Sequence, residues 1–103
     1  MDVNDQQADG PSSQVLGFEP LADKLKAFGW FTQRIDGNDL DAVIAAFDAA
    51  RHHPEPRPRM IICDTRMGCG VPFLEAREKN HFIRVDPHEW QLALAALDEG
   101  RTA

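Results

Sequence analysis

The four residues Met60-Ile61-Ile62-Cys63 limit what this chain can fold into more than any other feature. They form a continuous apolar run with no alternation, preceded by the breaker cluster His52-His53-Pro54-Glu55-Pro56-Arg57-Pro58. A strand with one wet face alternates apolar and polar residues, whereas a strand covered on both faces need not. The run therefore predicts a parallel sheet with helices packed on it. The rest of the chain has to supply those helices and the crossovers that join parallel strands.

It contains suitable candidates. Phe18, Leu21, Ala22, Leu25 and Phe28 fall at helical spacing, with Pro20 suited to a first turn and Gly29 to a stop. Trp30 to Ile35 carries β-branched or aromatic residues at most positions and ends in Asp36-Gly37, a short strand and turn. Asn38 is placed to cap the next helix, Asp39 and Asp41 favour its positive end, and Leu40, Val43, Ile44 and Phe47 are its expected buried stripe. Asp64 to Val85 has no sustained period and reads as a long loop, a length that usually signals function. Asp86-Pro87-His88-Glu89 then opens a closing helix with Trp90, Ala93, Leu94 and Leu97 on its apolar face. Trp30, Phe47, Trp90 and Leu97 are all expected to be core. The opening Met1-Asp2-Val3-Asn4 reads as the end of a strand whose beginning is missing, so the chain is expected to be a piece of a larger domain. The predicted class is α/β: a three-layer, open, mostly parallel sheet with flanking helices.

Length and charge narrow the function. One hundred and three residues suit one small domain, and eleven basic against seventeen acidic residues give a net charge of −6. A polyanion is bound by clustered cations, so nucleic acid and anionic membrane surfaces are excluded as partners. No apolar run approaches the roughly 20 residues that cross a bilayer, and the N-terminus lacks a signal peptide's pattern. A cytoplasmic protein is expected, with Cys63 and Cys69 as free thiols. An unpaired parallel edge on so short a chain predicts marginal stability or oligomerisation.

Generic motifs contribute little. Gly68-Cys69-Gly70 lacks the third glycine of a dinucleotide fingerprint, and Cys63, Cys69, His81 and His88 are too irregularly spaced for a zinc site. His52 and His53 suit a solvated helix end.

Three segments taken in order are specific: Asp2 to Gly10 (DVNDQQADG), Phe28-Gly29-Trp30 leading to Ile35-Asp36-Gly37-Asn38-Asp39, and Ile61 to Gly70 (IICDTRMGCG). Together they resemble the thiamine-diphosphate-binding domain of the transketolase family across nearly the whole chain. The family pattern is D-x-N and a loop ending D-G, then (A/F)-G-W, then D-G-(H/N)-D, then T-x-x-G-x-G, a histidine and an amphipathic helix.

The resemblance implies a partial thiamine-diphosphate-binding domain over residues 1–103, with thiamine diphosphate and Mg²⁺ as cofactors. It implies transfer of a two-carbon ketol unit between sugar phosphates. Asn4 matches the family's side-chain magnesium ligand and Gln6 its backbone-carbonyl ligand, donors that suit a hard cation already facing diphosphate oxygens. Met67, Gly68 and Ala8 match positions beside the cofactor. His81 matches the histidine that approaches diphosphate and substrate and assists proton transfer there. The family's Gly-Asp-Gly segment would stand before Met1, and its activating glutamate belongs to a second domain. The expected partners are accordingly the missing N-terminal segment and a pyrimidine-domain subunit, and the chain alone is expected to be inactive. Rival readings are a non-catalytic interaction domain retaining the fold, and part of a deoxyxylulose-phosphate synthase-like enzyme.

Overall fold

The computed structural model describes residues 1–102, and the side chains of residues 1–100. In chain order the elements are β1 (Asp2–Val3), β2 (Gln6–Gln7), β3 (Gly10–Pro11), α1 (Ser12–Val15), α2 (Leu21–Ala27), β4 (Phe31–Asp36), α3 (Leu40–His52), β5 (Arg59–Asp64), α4 (Pro72–Glu75) and α5 (Pro87–Thr102). They fall into two compact units, one of Met1–Asn4 with Leu16–Thr65, the other of Asp5–Val15 with the chain from Arg66 onward.

The first unit is a parallel sheet in the order β1-β5-β4. The apolar run lies in β5, the central strand, and Ile62 is fully buried there. β4 and β5 are joined through α3, the crossover that parallel strands require. Successive strand residues point to opposite faces. Gln33 in β4 donates to the Ala46 carbonyl of α3 at 2.9 Å, whereas the next residue, Arg34, pairs with Glu19 just ahead of α2 at 2.7 Å. Both faces of the sheet are thus covered, as the unalternating run required. Of Met1-Asp2-Val3-Asn4, the middle two residues enter as strand β1, with Asp2 opposite Cys63 and Val3 opposite Asp64.

Several expectations are corrected. The α3 cap is Asp39, not Asn38: its side chain accepts the N–H groups of Asp41 and Ala42 at 3.0 and 3.2 Å. The anticipated buried stripe is not the buried one. Ala46 and Ala50 are buried and Val43 half-buried, while Leu40, Ile44 and Phe47 are 70%, 58% and 61% exposed. Small residues let the helix approach β4 closely enough for the Gln33–Ala46 bond, and that rotation turns the large side chains outward. At the C-cap of α2 Phe28 is likewise exposed, and Pro20 sits at the N-cap rather than inside the first turn.

The second unit holds the β2–β3 hairpin, α1, α4 and α5. The segment read as loop from Asp64 to Val85 contains α4, one turn opened by Pro72 at its first position. The closing helix α5 is capped as expected: Asp86 Oδ1 accepts the N–H groups of His88 and Glu89, and Glu89 reaches back to the Asp86 N–H at 3.2 Å. Ala93 is buried on this helix, but Trp90, Leu94 and Leu97 are substantially exposed, against the expectation of core positions. Val71 is the other buried apolar side chain among the described residues of the unit. Among the described residues no helix is long and apolar enough to cross a membrane.

Candidate functional site

In open parallel sheets ligands gather at the carboxyl ends of the strands. At that end of the first unit stand Asn4 after β1, Gly37 after β4 and Thr65 after β5. Parallel pairing carries Val3 alongside Asp64, and the Thr65 N–H donates to the Val3 carbonyl at 3.0 Å. The Asp2 carboxylate organises this corner. One oxygen accepts the Thr65 hydroxyl and the other accepts the Asn4 side-chain amide at 3.3 Å. Because the Asn4 Nδ2 faces Asp2, its Oδ1 occupies the other branch of the carboxamide, turned away from that carboxylate. Gly37 is obligatory here: its N–H donates to the Asp64 carbonyl at 2.7 Å, and a Cβ would lie 2.6 Å from both Cys63 Cβ and Thr65 Cγ2.

Asp64 stands at the same strand end but is otherwise engaged. Arg34 donates to both its oxygens at 2.8 Å, and also pairs with Glu19. The guanidinium bond holds the Asp64 carboxyl below the ordinary carboxylate range, while the Leu21 N–H and then Arg34 do the same to Glu19. Between two carboxylates, Arg34 is held charged well above its ordinary range.

In the second unit the chain turns at Asp5, which adopts φ +55°, and enters the hairpin. The Ser12 N–H donates to the Asp5 carbonyl at 3.2 Å, and Gln6 and Pro11 are the next pair inward. Antiparallel pairs alternate between bonded and non-bonded, so Gln6 occupies a non-bonded position opposite a residue with no N–H to give. The Gln6 side chain reaches the distant segment before His81: Nε2 donates to the Arg77 carbonyl at 3.3 Å and Oε1 accepts the Asn80 N–H at 3.0 Å. Ala8 is exposed in the hairpin turn.

Met67 and Gly68 lie in the turn that leads to α4. Gly68 has φ +76°, and a Cβ there would come within 2.7 Å of Leu74 Cβ and 3.2 Å of its carbonyl carbon. The Val71 N–H donates to the Gly68 carbonyl at 3.0 Å, and Gly70 donates to Glu75 at 2.8 Å. His81 is exposed, its ring edge-on to Phe82 at 4.6 Å. Asn80, immediately before it, is buried; its Nδ2 donates to the Leu74 carbonyl at 2.6 Å and its Oδ1 has no partner.

The second unit therefore contains Gln6, Ala8, Met67, Gly68 and His81, and the first contains Asn4. Sequence reading missed three residues that shape these positions: Asp2 and Thr65 beside Asn4, and Asn80 beside His81. The D-x-N spacing was a usable signal for Asp2, whereas nothing local marks Asn80. Among the described residues no cluster of three His, Cys, Asp or Glu side chains is disposed to hold a metal. A cation bound here would take neutral oxygens from the protein, and Mg²⁺ accepts such donors when diphosphate supplies the anionic ones. Asn4 carries a neutral side-chain oxygen of that kind and Gln6 a neutral main-chain one.

A parallel sheet with helices packed on it defines a domain of the α/β class. Residues 1–95 match the family described as transketolase, thiamine diphosphate binding domain, and the chain belongs to that family. A transketolase family protein of Sinorhizobium fredii is 64% identical over the whole chain, which covers 37% of that relative. A 6-deoxy-6-sulfo-D-fructose transketolase subunit from a Clostridium species is 35% identical over 95% of the chain and 35% of the relative. An apulose-4-phosphate transketolase subunit of Actinobacillus succinogenes is 31% identical over 95% of the chain and again 35% of the relative. The chain thus spans little more than a third of these relatives' length.

Proposed function

We propose that this chain provides part of the thiamine diphosphate and Mg²⁺ site of a transketolase-type enzyme that moves a two-carbon ketol unit between sugar phosphates. The observation that carries the reading is the hydrogen bond between Gln6 and Asn80, residues 74 apart in sequence, which ties the strand of the expected carbonyl ligand to the segment ending at His81. Family membership and relatives named as transketolase subunits support it.

On this reading Asn4 Oδ1 and the Gln6 main-chain carbonyl are the protein's neutral oxygen donors to Mg²⁺. Asp2, itself bonded to the Thr65 hydroxyl, holds the nitrogen of the Asn4 amide. Met67, Gly68 and Ala8 wall the cofactor; the Met67 thioether fills space and does not react. The His81 ring N–H donates to diphosphate or substrate oxygen and carries a proton during transfer. When bound, thiamine diphosphate supplies the carbon–carbon bond-breaking chemistry, and the protein positions it. A charged magnesium ligand and the acid that activates the cofactor come from an N-terminal segment and a pyrimidine-domain subunit. We place the assembly in the cytoplasm as an oligomer, inactive without those parts.

Calorimetric titration with thiamine diphosphate and Mg²⁺ tests this. Binding is expected only when the companion segments are present. Tight binding by the chain alone would overturn the shared-site reading, and no binding by the completed assembly would overturn the cofactor reading altogether.

A further inference from the structure

Cation donation through a main-chain carbonyl places no demand on the side chain at position 6, yet the Gln6 side chain is fully committed. Its Nε2 donates to the Arg77 carbonyl at 3.3 Å while its Oε1 accepts the Asn80 N–H at 3.0 Å. A carboxamide that gives to one peptide group and takes from another three residues on acts as an added strand partner for the segment 77–80. That segment is also anchored elsewhere. Asn80 Nδ2 donates to the Leu74 carbonyl, closing the turn after α4, and the Arg77 guanidinium pairs with Glu89 in the first turn of α5. The Arg77 guanidinium lies 5.6 Å from the Phe73 ring centre. These anchors fix the segment against α4 and α5, and Gln6 alone of the groups named here joins it to β2. The residue that emerges from the segment is His81, whose exposed ring is packed edge-on against Phe82.

We propose that Gln6 is a positioning residue for His81: its side-chain amide latches segment 77–80 to β2 and so sets where the imidazole stands relative to the main-chain carbonyl of the same glutamine. The proposal rests on the functional reading given above for His81 and the Gln6 carbonyl. It adds a role for the Gln6 side chain that a leucine of similar size, with the same main chain, could not fill. The buried Asn80 supports this role, because its side chain stiffens the turn on which the latch closes.

The test compares Gln6→Leu, which loses both hydrogen bonds, with Gln6→Glu, which keeps an acceptor for the Asn80 N–H. In the full chain, Gln6→Leu is expected to speed exchange of the Asn80 amide about three- to tenfold, as loss of one net hydrogen bond does. It is also expected to shift the His81 ring resonances, while Gln6→Glu keeps the Asn80 amide protected. In the completed assembly Gln6→Leu should weaken thiamine diphosphate binding several-fold and leave Mg²⁺ affinity within about twofold, since the main-chain donor is retained. A purely structural defect would lower both affinities together. Unchanged Asn80 exchange and His81 resonances in Gln6→Leu would overturn the latch, as would unchanged thiamine diphosphate affinity. Wild-type assembly that binds no thiamine diphosphate would instead refute the cofactor reading, and the exchange and ring signals would still decide the latch.

Discussion

Gly68→Ala offers a sharp test of how the turn carrying Met67 is built. Two separate effects act on the added methyl group. First, φ is +76° at this position, where any residue with a Cβ is strained by about 1–2 kcal/mol. Second, the methyl would sit 2.7 Å from Leu74 Cβ, 3.2 Å from the Leu74 carbonyl carbon and 3.3 Å from the Glu75 nitrogen. Two of those neighbours are main-chain atoms of α4, so relief requires moving the helical turn, a rearrangement of the overpacking kind that costs about 1–3 kcal/mol. The sum is about 2–5 kcal/mol. Gly29→Ala is the matched control: its φ is +85°, but nothing lies within 4 Å of the added Cβ, so only the first effect applies. Urea unfolding followed by circular dichroism should therefore show Gly68→Ala less stable than Gly29→Ala by about 1–3 kcal/mol. Equal losses in the two variants would refute the claim that close approach of α4, and not backbone conformation alone, demands glycine at this turn.

Other substitutions and conditions follow from the same geometry. Ile62→Ala removes the one fully buried large side chain of the central strand and should destabilise the protein by about 2–4 kcal/mol in the same unfolding assay. Glu19 and Asp64 both have folded-state values depressed below their ordinary 4.5 and 3.8. Their stabilising effect is therefore complete above those values and lost as pH falls through the lower folded ones. Thermal midpoints measured from about pH 6 down to about pH 3 should fall, and Arg34→Leu should flatten that acid limb.

How much of this was legible beforehand depended on whether a signal was local. The β5 run and the Asp86-Pro87-His88-Glu89 cap depend on properties of a few consecutive residues, and both elements formed where expected. The ordered motifs likewise placed Gly37 and Gly68 at turns, and the structure shows why: each added Cβ would strike a neighbour. The choice between Asn38 and Asp39 as the α3 cap was not legible, because both residue types cap equally well and the turn after β4 decides which one is aligned. The Gln6 latch was invisible for a stronger reason. Its partners are main-chain groups more than 70 residues away, which carry no side-chain identity for a sequence pattern to reveal.

The burial error on α3 has a physical cause. Periodicity shows that a helix has an apolar stripe, but not which edge of the stripe meets the sheet. On α3 the choice is made by Gln33, a polar residue on a strand face that the helix covers. Its amide needs an acceptor once α3 covers that face, and the Ala46 carbonyl supplies one at 2.9 Å. A main-chain carbonyl in mid-helix is reachable only where the side chains between are small, so Ala46 and Ala50 must face the sheet. Leu40, Ile44 and Phe47 are then rotated outward as a consequence of satisfying one half-buried amide. Replacing Gln33 by leucine would remove that requirement, and the helix would be expected to roll toward its larger side chains. Reduced accessibility of Phe47 to an aqueous probe in Gln33→Leu would show the roll, and unchanged accessibility would show that the alanine contacts alone set the helix orientation.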